Sequence, residues 1–159
     1  MSITRRTVAA VTCGLVASAG LVTVVGSQAQ EPGPPTGTLE LVQRERDTRS
    51  RLIDVPPRQG ERGRPTIGDG FLITGSVRDA AGNRAGRLQA HFLVTSREDA
   101  QASGTFILND GRIVIGGATT EADIDDFAVL GGTGRYAGAR GTLRVTEGKA
   151  TGFLFTFTG

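Results

Sequence analysis

From Thr38 to the C-terminus, apolar residues recur in short runs that alternate with polar ones or are nearly continuous, and each run ends on glycine, proline or another turn-forming residue. Eight runs read as strands: Thr38 to Glu45, Gly70 to Arg78, Gly86 to Thr95, Ala102 to Leu108, Arg112 to Ala118, Phe127 to Leu130, Arg140 to Thr146, and Thr151 to Thr158. Asn109-Asp110-Gly111 and Asp79-Ala80-Ala81-Gly82-Asn83 join their neighbours with residues that tolerate positive φ, which predicts hairpins. No long segment repeats with a 3.6-residue period between helix caps. Regularly spaced short strands over this length predict an all-β domain, either a closed antiparallel barrel or a sandwich, and closure removes exposed sheet edges.

Two segments fall outside this pattern. Asp54 to Asp69 is polar and holds three prolines, which excludes a central strand and leaves either a loop at the mouth of a site or a tolerated surface insertion. The N-terminus carries Arg5-Arg6, an apolar stretch from Val8 to Gly26, and Ser27-Gln28-Ala29 with small residues at its first and third positions. Residues 1–29 therefore read as a signal helix for export, by the general or the twin-arginine route. Cleavage is favoured over retention as a membrane anchor because of the small-residue end and its proline-rich sequel. Residues 30–37 read as a disordered Pro/Gly tether, and residues 38–159 as the barrel domain. No stable membrane span is expected after cleavage.

Composition sharpens this. The chain has 159 residues, 24 of them glycine, with seven Phe, one Tyr and no Trp, and its formal charge is +2. Apart from Arg5 and Arg6 it carries 16 basic and 16 acidic residues, so the folded part is neutral and no phosphate-binding face or nucleic-acid partner is expected. The one cysteine, Cys13, lies in the signal, which leaves no disulfide or thiolate metal site. A lone histidine falls short of a zinc set, and Glu121 to Asp126 lacks the glycine and terminal glutamate of a calcium loop and reads as a solvated acidic hairpin, so no metal and no cofactor are expected.

The most specific stretch is Gly131-Gly132-Thr133-Gly134-Arg135-Tyr136-Ala137-Gly138-Ala139-Arg140-Gly141, leading into Thr142-Leu143-Arg144-Val145. It resembles the signature shared by plant dirigent proteins and allene oxide cyclases. The resemblance extends to Gly68-Asp69, to Gly104-Thr105-Phe106 running through Asn109-Asp110-Gly111 into Ile113, and to the terminal Phe153-Leu154-Phe155-Thr156-Phe157. It implies an eight-stranded antiparallel closed barrel, and a homotrimer as family members often form. The four catalytic positions of the cyclases fall near Val42, Arg44, Gly75 and Phe92, all replaced, which argues against allene oxide cyclisation itself. The glycine-rich loop also has a plain structural reading that outweighs a functional one: Tyr136 plugs a barrel end and Arg140 bonds loop carbonyls.

Candidate site residues are few. Glu45 shares a face with Leu39, Leu41 and Gln43 by period two, so it could be an interior acid, although the alternating charges from Arg44 to Arg51 favour a rim position. His91 lies mid-strand and could serve as a general base, but it lacks an acidic companion in the sequence. These two are the candidate catalytic residues, and Gln43, Arg44 and Tyr136 the candidate ligand-binding ones. The chain reads as an exported barrel that binds a small apolar or aromatic molecule and steers its cyclisation or coupling, with cyclase- or isomerase-like activity if it is an enzyme. The alternative is a non-catalytic secreted barrel acting in envelope or surface interactions. Cleavage after Ala29 leaves Gln30 as the first residue, and the intact mass of the exported protein checks it: an unprocessed mass sinks the cleaved-signal reading.

Overall fold

Period-two patterning becomes nine antiparallel ribbons. They are β1 (Thr36–Arg44), β2 (Thr48–Ile53), β3 (Gly70–Arg78), β4 (Arg84–Val94), β5 (Ala100–Leu108), β6 (Gly111–Thr119), β7 (Ile124–Gly134), β8 (Gly141–Thr146) and β9 (Ala150–Thr158). The computed structural model describes residues 33–55, 65–120 and 124–159. The expected signal helix, residues 30–32 of the tether, the middle of the long loop and residues 121–123 lie outside the described residues. Neighbours run in the order β1-β9-β8-β7-β6-β5-β4-β3-β2, and β1 also meets β3 at Val42 and Arg78, which closes the sheet on itself. β1 and β2 are two halves of one stave, interrupted by a 3-10 turn at Glu45–Asp47, so the barrel has eight staves.

That turn transfers the first stave from one neighbour to the other. β1 pairs with β9 from Thr36–Thr158 to Arg44–Ala150, whereas β2 pairs with β3 from Thr48–Gly75 to Ile53–Gly70. The Thr48 hydroxyl donates to the carbonyl of Arg44 (3.0 Å), and the Arg78 guanidinium reaches the Asp47 carboxylate (3.3 Å). The first predicted strand thus begins two residues earlier than Thr38 and continues beyond the turn to Ile53.

Alternation directs every Phe inward. Phe106, Phe127, Phe153, Phe155 and Phe157 are buried. Phe71 and Phe92 face each other across β3 and β4 on the same side as buried Ala102. Phe106 meets Phe153 and Phe155 edge-on, with ring centroids 5.0 and 4.9 Å apart. On the outer wall the Arg144 guanidinium grips the Asp126 carboxylate through two bonds of 2.9 and 3.0 Å.

β7 runs past its expected end at Leu130. Val129 pairs with Ile115 and Gly131 with Val114, so Leu130 is an extra, bulged residue, 54% exposed, and the strand resumes to Gly134. The bulge turns Gly132 to the interior, where a Cβ would stand only 2.7 Å from that of Tyr136. Tyr136 therefore folds back into the barrel end and packs beside Phe157, at a centroid distance of 5.9 Å. Arg140 Nη1 donates to the carbonyls of Leu130 and Ala139, both at 2.8 Å, and fixes the turn. The glycine-rich signature builds the closed end of the barrel.

Burial, with the nearby Asp110 carboxylate, pushes the Tyr136 hydroxyl up to about 12. An unfolded tyrosine ionises near 10. The raised value adds stability that is fully present below about pH 10 and is lost as pH rises from there towards 12. Tyr136 is the sole tyrosine and Trp is absent, so phenolate absorbance of the folded chain reports this group alone. A titration midpoint near 10 in the folded state would remove Tyr136 from a buried plug.

Candidate functional site: the open half of the barrel

The Phe106 cluster divides the interior. On the side of the 135–140 turn, Val77, Leu108, Ile113, Phe155, Phe157 and Tyr136 are all buried and fill the lumen. On the other side, where β4, β6 and β8 end and β5, β7 and β9 begin, a cavity of about 250 Å³ remains. Its walls are mostly apolar: Ile73, Leu88, Ala90, Phe92, Ala102, Ile115, Phe127, Leu143 and Val145, with Phe106 and Phe153 below them. An apolar cavity of about 150 Å³ suffices for benzene, so this one has room for two or three fused rings. Alanine at positions 90 and 102 leaves the space that larger residues would occupy.

The polar groups are sparse. Gln43 stands on β1 opposite Thr151, one inward step toward the mouth from the Leu41–Phe153 pair. Its amide is seated over Gly75, where a Cβ would collide with Nε2 and with the Asp47 carbonyl that the 3-10 turn brings inward. Gln43 is 3% exposed, and its Nε2 has no hydrogen-bond partner. An unpaired buried donor of this kind costs about 1–3 kcal/mol.

Toward the mouth, the hydroxyls of Thr48 and Thr151 line the cavity together with Asp125 and Glu147, the only charged residues in its wall among the described residues. The Asp125 carboxylate is held by the Thr119 hydroxyl at Oδ2 and by the Thr120 N–H at Oδ1 (3.3 Å).

The described ends of the long loop lie at this same end, between β2 and β3. Asp69, 3% exposed, ties them together: Oδ1 accepts from the Val55 N–H (3.0 Å), and Oδ2 from the Thr66 N–H (2.6 Å) and hydroxyl (3.1 Å). The loop therefore leaves and returns beside the opening, although residues 56–64 lie outside the described residues.

The residues singled out in the sequence do not converge on one spot. Gln43 lines the cavity. Glu45 does not, because the 3-10 turn breaks the period-two count at that residue and leaves it exposed. His91 is also exposed: it pairs with Leu72 and Ser103 on the outer wall, with its ring over Gly70. The interior acid–base pair that Glu45 and His91 could have supplied is thus not assembled. Arg44 is exposed, with its guanidinium near Gly82. Tyr136 sits at the closed end, on the far side of the Phe cluster from the cavity. Sequence reasoning missed Asp125, Thr119 and Glu147. Counting back by twos from Phe127 finds Asp125, but the surrounding carboxylates made the whole run read as a solvated hairpin.

No family model matches the sequence, and no curated protein matches it. Solved structures do match. A pyocyanin demethylase superposes with a TM-score of 0.60 at 20% identity, over 76% of this chain and 99% of its own. AbnU, an exo-specific intermolecular Diels–Alderase, gives 0.58 at 15% identity over 78% and 94%, and a pterocarpan synthase dirigent protein gives 0.54 at 15% over 77% and 94%. The chain has the allene oxide cyclase/dirigent-like barrel fold, which the Gly131–Gly141 resemblance implied.

Proposed function

We propose that this exported barrel takes a small, mainly apolar or aromatic molecule into its open half and holds it in a folded conformation that favours ring closure or coupling. The observation that carries the reading is the division of the lumen, with a solid aromatic floor below and an open apolar chamber of about 250 Å³ above. Confining a flexible molecule there supplies the ordering that an intramolecular reaction otherwise lacks, and needs no strong acid or base. Barrels of this fold that serve a Diels–Alderase and a pterocarpan-forming dirigent protein support a reaction governed by shape. The activity would be cyclase- or isomerase-like.

The neutral fluorophore N-phenyl-1-naphthylamine tests the chamber. The full chain should bind it saturably at one site with a rise in emission. Ala90→Phe, which fills the chamber from the β4 wall, should weaken binding at least tenfold without lowering the melting temperature. Non-saturable binding, or binding indifferent to Ala90→Phe, would leave the non-catalytic envelope barrel as the better account.

A homotrimer is the second element of the proposal, and one surface favours it. From β3 to β7 the outer wall carries Leu72, His91, Ser103, Gly116 and Ala128 in one cross-strand row and Thr74, Gln89, Thr105, Val114 and Gly131 in the next. Neither row holds an acidic residue, lysine or arginine, and Leu72 and Val114 are 37% and 39% exposed there. Light scattering after gel filtration should give three times the chain mass, and Leu72→Lys with Val114→Lys should give one. A wild-type monomer at micromolar concentration would exclude the trimer.

A further inference from the structure

The lumen wall presents a hydrogen-bond donor with nothing to receive it. Gln43 Nε2 is buried against the chamber, directly above the aromatic floor, and has no partner. Its seat is built, because Gly75 and the Glu45–Asp47 turn together make room for an amide that leucine or methionine would replace with less loss of solvation. Such a donor is retained at a cost to folding unless a ligand atom accepts from it. A second observation concerns charge: Asp125 and Glu147 line the approach, and among the described residues no lysine, arginine or histidine lines the chamber. An anion entering there would lose hydration and meet two carboxylates, with no cation among the described residues of the wall to offset them.

We infer that the ligand is a neutral, largely apolar molecule bearing a carbonyl-type oxygen that accepts a hydrogen bond from Gln43 Nε2, and that carboxylate anions, fatty acids among them, are excluded. The inference rests on the chamber reading above and names its substrate class. Gln43 then fixes which end of the ligand lies deepest. In a cyclisation, the same bond draws electron density toward the carbonyl and so activates the conjugated bonds attached to it.

Three rigid probes of one skeleton test it: fluorene, 9-fluorenone, and 9-fluorenone-4-carboxylate, each titrated calorimetrically into the full chain at low salt. Wild type should prefer fluorenone to fluorene by about tenfold, the usual worth of satisfying a buried donor. Gln43→Met should leave fluorene affinity within about twofold and erase the preference. Its melting temperature should not fall, since an unpaired polar group has been removed. Gln43→Glu, which cannot donate when ionised, should bind fluorenone more weakly than fluorene. The carboxylate probe should bind at least tenfold more weakly than fluorenone, and the Asp125→Asn, Glu147→Gln pair of substitutions should recover most of that difference.

Equal wild-type affinities for fluorene and fluorenone, or a preference that survives Gln43→Met, overturn the role of Gln43 while leaving the chamber intact. A carboxylate probe that binds as tightly as fluorenone overturns the exclusion of anions. Failure of both neutral probes to bind overturns the chamber reading itself, and this inference with it.

Discussion

Phe106 lies edge-on to Phe153 and Phe155 at about 5 Å, and the rest of the interior is arranged around that contact. An eight-stranded barrel has room for little more than its own side chains, so an aromatic cluster in mid-lumen decides which half is core and which is free. Below it, Phe157, Tyr136, Leu108 and Ile113 complete a packed plug, each large apolar side chain contributing about 1.5–3 kcal/mol by leaving water. Above it, the small side chains of Ala90 on β4 and Ala102 on β5 leave the space open. Packed core and open chamber thus occupy opposite ends of one cylinder, and the open end can carry unfavourable groups because the closed end holds the fold.

The interrupted first stave is the main such concession. A continuous strand from Thr36 to Ile53 would keep Glu45 on the face of Leu41 and Gln43. The Glu45–Asp47 turn exposes that acid and instead brings the Asp47 carbonyl inward over Gly75, where it crowds the space beside the Gln43 amide. The result is a chamber whose one deep polar group is an uncharged donor. Replacing an interior carboxylate by an amide changes the available chemistry from proton transfer to hydrogen-bond polarisation, which suits reactions that move electron pairs within a ring more than those that need a base.

Much of the fold was legible because it rests on local rules. Hairpin residues at Asn109–Gly111 and inward Phe at alternate positions from Phe153 to Phe157 survive any detail of register. The glycine-rich stretch read correctly as architecture: Arg140 does bond the Leu130 and Ala139 carbonyls, and Tyr136 does close the barrel end. The site was less legible because it depends on where alternation fails. One 3-10 turn takes Glu45 off the inward face that period two alone would give it, to the exposed position that the alternating charges favoured, and one bulge at Leu130 carried β7 four residues further than its apolar run suggested. His91 kept the alternation expected of it, but which face of β4 is inward is settled only by pairing with β3 and β5. Asp125 was hidden for the opposite reason, since a cluster of like charges reads as solvent-facing even when strand geometry turns one of its members inward.

The two ends of the barrel also differ in how they could change without loss of the fold. The closed end is over-determined: Gly132 must lack a side chain for Tyr136 to enter, Tyr136 covers Phe157, and Arg140 spans the turn, so a change in one disturbs the others. The chamber residues border open space on one side, and a substitution such as alanine to valine at position 90 alters the cavity's shape with little demand on its neighbours. A barrel built this way can be retuned to ligands of different outline while its signature stays fixed. The signature therefore reports the fold, while the residues that shape the chamber, Gln43, Ala90 and Asp125 among them, lie outside it.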